Sequence, residues 1–339
     1  MRRLIVCALV VGAAVIAPTG AGADDPSSLQ YCTPAGGPLG AITDAEHTVV
    51  LGDQPLPRGV TRTRETVDGV STPVMQAGPA DAHGAVVFVH GNPGSSRDFD
   101  QLVGATGKFT RVVAFDMPGF GHADKGFDGT YTTQSTVQFI GDMVAHLGIT
   151  RVHLALHDFG GIWALEWARA NPGSLGSVVL MDTGVLTGYL GHPFAYIWNV
   201  PAIGEENMAT TTRQTFESTL NAQNPRPLPQ AFLDRMYDDY DRQTRCAVLS
   251  YYRDLGNSGE SRWEAQTAVF SKLDLPALVI WGADDPYIPS SQAENQKNAF
   301  PQAEIHVLPD TGHWPFVDEP GTTRNLVTSF LRRVVARRP

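Results

Sequence analysis

Five short apolar runs leave this chain few architectures: residues 85–89 (AVVFV), 111–115 (RVVAF), 152–156 (VHLAL), 177–180 (SVVL) and 277–281 (ALVIW). Each is too short for an ordinary helix, rich in β-branched residues, and apolar at consecutive rather than alternate positions. Strands of that kind are covered on both faces, the environment of a central strand in a parallel sheet. Helical patterns fill the intervals at residues 135–147 and 161–170, the second stopped by Asn171-Pro172-Gly173. Alternation of this sort predicts an α/β protein with a mostly parallel central sheet flanked by helices on both faces.

The alternation stops after Met181. Residues 183–271 are helical in composition, rich in aromatics and broken by Pro201, Pro225, Pro227 and Pro229; strand-like sequence returns at Ala277. An insertion there, after the sixth strand, reads as a helical cap over the carboxyl edge of the sheet. The resulting division is an N-terminal arm at 24–45, a first core part at 46–182, the cap at 183–271 and a second core part at 272–339.

Residues 1–23 read as a signal peptide rather than part of the fold. Arg2 and Arg3 precede an apolar run over residues 4–16, and the small residues 19–23 supply an A-x-A site with cleavage expected after Ala23. The run is too short to span a bilayer, so a secreted or otherwise exported product (extracellular or periplasmic) without a membrane anchor is expected. Cys7 leaves with the signal. Cys32 and Cys246 remain for an oxidising compartment, either as a disulfide or as two separately buried thiols. A net charge of −10 argues against nucleic acid as a partner. Neither clustered metal-ligand spacing nor a phosphate-binding glycine loop occurs, so no metal and no cofactor is expected, only a small-molecule substrate and water.

Four loops, each at the carboxyl end of an apolar run, carry the chemistry. Leu156-His157-Asp158-Phe159-Gly160-Gly161 joins a strand to a helix and has the layout of a nucleophile elbow, a sharp turn that presents one side chain. Asp158 stands at its centre, where the alternative is an aspartate that merely caps the helix. Leu156 occupies a place where a small residue is expected. His90-Gly91-Asn92-Pro93-Gly94 follows an earlier strand, where a loop N–H and the N–H of Phe159 could form an oxyanion hole. Asp116-Met117-Pro118-Gly119-Phe120-Gly121 reads as a structural turn. Trp281-Gly282-Ala283-Asp284-Asp285-Pro286 and Gly312-His313-Trp314-Pro315 complete an order of nucleophile, acid and histidine.

In that order and placement the chain from about residue 46 to 335 resembles the α/β-hydrolase family. HDFGG and HGNPGSS further resemble the epoxide hydrolase and haloalkane dehalogenase branch, in which the elbow carries an aspartate. The resemblance implies that Asp158 attacks carbon, His313 activates water against the resulting ester, and Asp285, selected over Asp284 by the W-G-x-x-D spacing, orients His313. It assigns Asn92, Phe159 and His90 to the oxyanion and substrate-binding side. Dehalogenases of this type hold halide with an Asn and a Trp N–H; Asn92 fits, but Phe159 has no N–H to give. Epoxide hydrolases protonate the opening ring from the cap, and Ser250-Tyr251-Tyr252-Arg253-Asp254 places Tyr252 as such a donor. Tyr189, Tyr196 or His192 could be the second. The reading is therefore a hydrolase opening epoxides to diols, with dehalogenation, ester or lactone hydrolysis, or a silent ligand-binding role as alternatives.

Overall fold

The computed structural model describes Cys32 and residues 55–125, 131–256 and 259–336. The expected signal peptide, and the arm apart from Cys32, lie outside the described residues.

Among the described residues eight strands form one sheet: β1 (Thr61–Val67), β2 (Val70–Ala77), β3 (Gly84–Val89), β4 (Val112–Phe115), β5 (Arg151–His157), β6 (Leu175–Met181), β7 (Ala277–Gly282) and β8 (Glu304–Leu308). Their order is β1-β2-β4-β3-β5-β6-β7-β8. β2 runs antiparallel to β1 and β4, and every other pairing is parallel.

The consecutive apolar residues of the central strands divide between the two faces by the strand period of two. Val86 and Phe88 pack with Leu102 and Val103 of α1 (Asp100–Thr106) and with Val327, Phe330 and Leu331 of α12 (Pro320–Val335). Val87 and Val89 pack in the opposite layer, with Phe139 and Ile140 of α2 (Thr133–His146) and Ile162 and Trp163 of α3 (Phe159–Ala170). Burying one such side chain stabilises by roughly 1.5–3 kcal/mol, so these double-faced strands are the main source of core stability.

Between β6 and β7 the described residues fold into six helices: α4 (Pro193–Trp198), α5 (Ile203–Thr210), α6 (Arg213–Gln223), α7 (Gln230–Asp239), α8 (Arg242–Gly256) and α9 (Gly259–Phe270). These form the cap. α8 turns Cys246, Ala247, Leu249, Tyr251 and Tyr252 inward. Tyr251 stacks on Phe120 at 5.7 Å between centroids and donates to the Pro118 carbonyl. Ion pairs also fasten cap to core, Arg235 to Asp98 and Lys125 to Asp241, each at 2.7 Å. Cys32 and Cys246 are joined in a disulfide with their Cα atoms 5.6 Å apart. Among the described residues no helix is long and apolar enough to cross a membrane.

Candidate active site

β5 ends at His157 and α3 begins at Phe159, so one residue must reverse the chain. Asp158 does so at φ 48° and ψ −125°, a conformation that costs a non-glycine residue roughly 1–3 kcal/mol. The Thr183 hydroxyl and the Gly161 N–H, at 2.6 and 3.0 Å from the Asp158 carbonyl oxygen, help hold it. Its carboxylate forms no helix cap, and the strained turn aims it away from the helix. Gly160 backs onto the Val89 carbonyl so closely that a Cβ there would collide with it. Gly91 is equally constrained: a Cβ would collide with the Asp158 carboxylate itself.

That close approach lets the Asn92 N–H donate to Asp158 Oδ1 at 2.7 Å. The Phe159 N–H also favours the charged carboxylate. Two backbone N–H groups thus act on the carboxylate, at the positive end of α3. The Asn92–Pro93 peptide is cis.

Asp158 Oδ2 lies 3.4 Å from His313 Nε2, and His313 Nδ1 lies 2.8 Å from Asp285 Oδ2. Asp285 is anchored by the Tyr287 and Ile288 N–H groups on its Oδ1, at 2.8 and 3.1 Å. Asp284 is exposed beside it. Burial pushes the His313 pKa down, but the charges and hydrogen bonds of Asp285 and Asp158 outweigh it and raise it well above the ordinary histidine value. Burial likewise pushes Asp158 up, and the neighbouring His313, followed by His157 and the Phe159 N–H, leaves it below the usual carboxylate range. The resting site is an imidazolium held between carboxylates.

A cavity of about 280 Å³ opens between sheet and cap. Asn92, Pro93, Asp158 and His313 bound it from the core; His192, Phe194, Trp198 and Tyr252 bound it from the cap. Tyr252 and His192 meet there, phenol oxygen to Nε2 at 2.8 Å. Burial and the Asp158 charge raise Tyr252 well above the usual phenol value, and burial lowers His192 to about 4. Both are neutral across ordinary pH; with the His192 Nε2–H donating to the phenol oxygen, the pair can present the Tyr252 O–H.

The other two candidate tyrosines are elsewhere. Tyr189 donates to the Tyr287 carbonyl at 2.8 Å, and Tyr196 is 59% exposed with its hydroxyl on the Leu190 carbonyl. Phe159 reaches the site through its N–H; its ring lies edge-on to Tyr252, 4.9 Å between centroids. His90, expected on the oxyanion and substrate-binding side, does not bound the cavity. Its Nε2 accepts the Met117 N–H at 2.9 Å, which places its proton on Nδ1, facing the Gly91 carbonyl at 2.9 Å. Fully buried, His90 ties two loops together behind the site. Asp116 is a structural anchor as read, accepting the Ser96 and His122 N–H groups at 2.8 Å.

Three neighbours had no role in the sequence reading. His157, lowered to about 4 chiefly by burial, places Nε2 2.7 Å from the His313 carbonyl and steadies that loop. Trp314 bounds the cavity next to His313. Asp182, at the carboxyl end of β6, lies behind Asp285; a carboxylate closing an apolar strand was its only signal.

The model of the alpha/beta hydrolase family matches residues 86–325. This chain belongs to the α/β-hydrolase family. It is 25% identical over 283 residues to a cis-3-alkyl-4-alkyloxetan-2-one decarboxylase of Xanthomonas campestris, covering 78% of this chain and 93% of that one. It is 27% identical over 277 residues to a 2-hydroxy-6-oxononadienedioate/2-hydroxy-6-oxononatrienedioate hydrolase of a Pseudomonas species, covering 77% and 91%. Among solved structures, the Cif epoxide hydrolase of Acinetobacter nosocomialis superposes with a TM-score of 0.72 at 19% identity, covering 93% of this chain and 99% of that one. A haloalkane dehalogenase of Agrobacterium tumefaciens gives 0.70 at 21% identity, covering 82% and 98%. At those identities the superpositions speak to the fold, and this α/β hydrolase is an enzyme whose specificity must be argued from its own site.

Proposed function

We propose that this hydrolase is exported and opens epoxides to diols through an ester on Asp158. The observation that carries the reading is the His192–Tyr252 pair, a neutral phenol hydrogen-bonded at 2.8 Å to a neutral imidazole on the wall of the cavity that holds Asp158. An epoxide oxygen leaves as an alkoxide and must be protonated, whereas a departing halide needs only N–H groups that stay charged or neutral throughout. Phe159 offers no side-chain N–H, and the Trp198 indole N–H is spent on Asn207 at 2.9 Å.

In the proposed sequence Asp158 Oδ2 attacks a ring carbon, the carbon–oxygen bond breaks, and the oxygen takes a proton from Tyr252, whose hydroxyl His192 holds in place. The product is a hydroxyalkyl ester of Asp158. Esterification removes one of the two negative charges that hold the proton on His313. Its proton affinity falls, it passes its proton to the Tyr252 phenolate left by the first step, and the neutral His313 can then take a proton from water. Water attacks the Asp158 carboxyl carbon, and the oxyanion forms on Oδ1, where the Asn92 N–H stands, with the Phe159 N–H also favouring negative charge on this group. Collapse releases the diol, whose departing alkoxide takes the proton His313 drew from water, and the Asp158 carboxyl group returns its remaining proton to His313, restoring carboxylate and imidazolium. The balance is epoxide plus water to diol.

Export rests on the signal-like residues 1–23 and on the Cys32–Cys246 disulfide, a bond at home in an oxidising compartment. The deciding experiment offers the purified enzyme small alkyl and aryl epoxides, matched haloalkanes and a cis-dialkyl oxetan-2-one, following diol, halide and carbon dioxide. Diol formation is expected; rapid halide or carbon dioxide release without diol would overturn the epoxide reading.

A further inference from the structure

The reaction above makes no use of Asp182, yet its surroundings are as constrained as those of Asp285. It is fully buried and sits at φ 47°, a strained backbone for an aspartate. Side-chain atoms of Asp182, Asp285 and His313 lie within 4.8 Å of one another. The Gly282 N–H donates to Asp182 Oδ1 at 2.8 Å. Asp182 Oδ2 is buried with no hydrogen-bond partner of its own, and Asp285 is the carboxyl group it faces.

A buried carboxylate oxygen next to another carboxylate, without a donor, is an expensive arrangement. As an O–H it becomes a donor with an acceptor at hand, and the cost disappears. The charge count agrees. The ionisable groups acting on Asp182 are Asp285 and His313, with Asp158 and His157 beyond His313. His313 is already shared between Asp158 and Asp285 and cannot compensate a third negative charge. Two like charges this close cannot both ionise in a dry site. Burial and the Asp285 charge accordingly push Asp182 well above the usual carboxylate range.

We infer that Asp182 is a positioning residue that keeps its proton and donates it to Asp285, so that a carboxyl pair with one negative charge backs His313. The consequence is kinetic. A second full charge behind His313 would hold its proton even after Asp158 is esterified, leaving no base for water. The shared proton limits that pull while the extra hydrogen bond fixes the Asp285 rotamer.

The test reads the proton directly and needs no substrate. Infrared difference spectra of wild type minus Asp182→Asn at neutral pH should contain the carbonyl band of a protonated carboxyl group, shifted in heavy water and by isotope-labelled aspartate. Asn keeps the shape, accepts from Gly282 and donates an N–H to Asp285, so the fold should persist. Absence of that band overturns the inference, whatever the enzyme hydrolyses. Asp182→Ala supplies the functional arm: kcat should fall about tenfold with KM little changed, and Asp182→Asn should restore most of it. If folded Ala and Asn variants are equally impaired, donation to Asp285 is not what Asp182 provides. If the Ala variant does not fold, the infrared result on the Asn variant decides.

Discussion

The Tyr252 phenol oxygen and His192 Nε2 are 2.8 Å apart although sixty residues separate them in sequence. Tyr252 comes from the middle of α8, and His192 from the turn that caps α4. Joined by one hydrogen bond, they leave one proton, that of the Tyr252 hydroxyl, for a single oxygen atom in the cavity. Removal of either should cost about a hundredfold in kcat/KM for an epoxide, the usual loss for one donor to developing charge. Tyr252→Phe and His192→Phe should each show this. The double variant should fall short of the product of the two, because both serve one oxygen. Full activity in both single variants would remove the pair from the chemistry.

Asp158→Asn should abolish turnover with the thermal transition preserved, since the amide is of similar size but a poor nucleophile. Freshly purified protein is required, because deamidation would restore the acid. Undiminished activity in such protein would exclude Asp158 as nucleophile.

His313→Gln should separate the half-reactions. Attack by Asp158 survives while hydrolysis stalls, so intact mass spectrometry should show an adduct that maps to Asp158. Loss of activity on a confirmed substrate with no adduct would assign His313 an additional part in the first step.

The pH dependence follows from the charge states. Attack requires the Asp158 carboxylate, held below the usual carboxylate range, and the neutral Tyr252, held well above the usual phenol range. kcat/KM should therefore be flat from about pH 5 to 9, free-enzyme values being what it reports. kcat should instead rise with pH where ester hydrolysis limits the rate, through the lowered His313 value of the esterified enzyme. An acid limb in kcat/KM near the ordinary histidine value would contradict this assignment.

Stability has its own pH signature. His153, His157 and His192 are buried neutral and lowered to about 4, chiefly by desolvation. The unfolded chain protonates them first, so stability falls as pH drops from about 6.5 towards 4, by up to about 3 kcal/mol per histidine. Thermal melts across that window should show Tm declining; a constant Tm would mean that these rings are protonated in the folded state.

How legible all this is from sequence depends on whether a signal is local. The central strands declare themselves because each is apolar throughout, a property of a few adjacent residues. Asp158, Asp285 and His313 are found because each closes or follows such a strand and their order is informative. The hairpin β1–β2 escapes because TRTRETV is largely solvated and shows no apolar run, although Asp68-Gly69 at its turn is a hairpin signature. The choice of His192 over Tyr189 and Tyr196 depends on how α4 packs against α8, and no spacing encodes that. His90 was placed at the site by its position in the loop, whereas the backbone N–H of Met117, distant in sequence, claims its ring. Asp182 looks like an ordinary strand end until the neighbouring carboxyl group is known.

The bond between Cys32 and Cys246 joins positions 214 residues apart, so it closes most of the chain into one covalent ring. The ring holds strands β1 to β6, the elbow with Asp158 and the first four cap helices, and leaves β7, β8 and His313 on the open tail. A protease that cuts once anywhere within the ring produces no separate fragment: the molecule stays in one piece until a reductant arrives. First damage by a protease would open a ring rather than divide the protein.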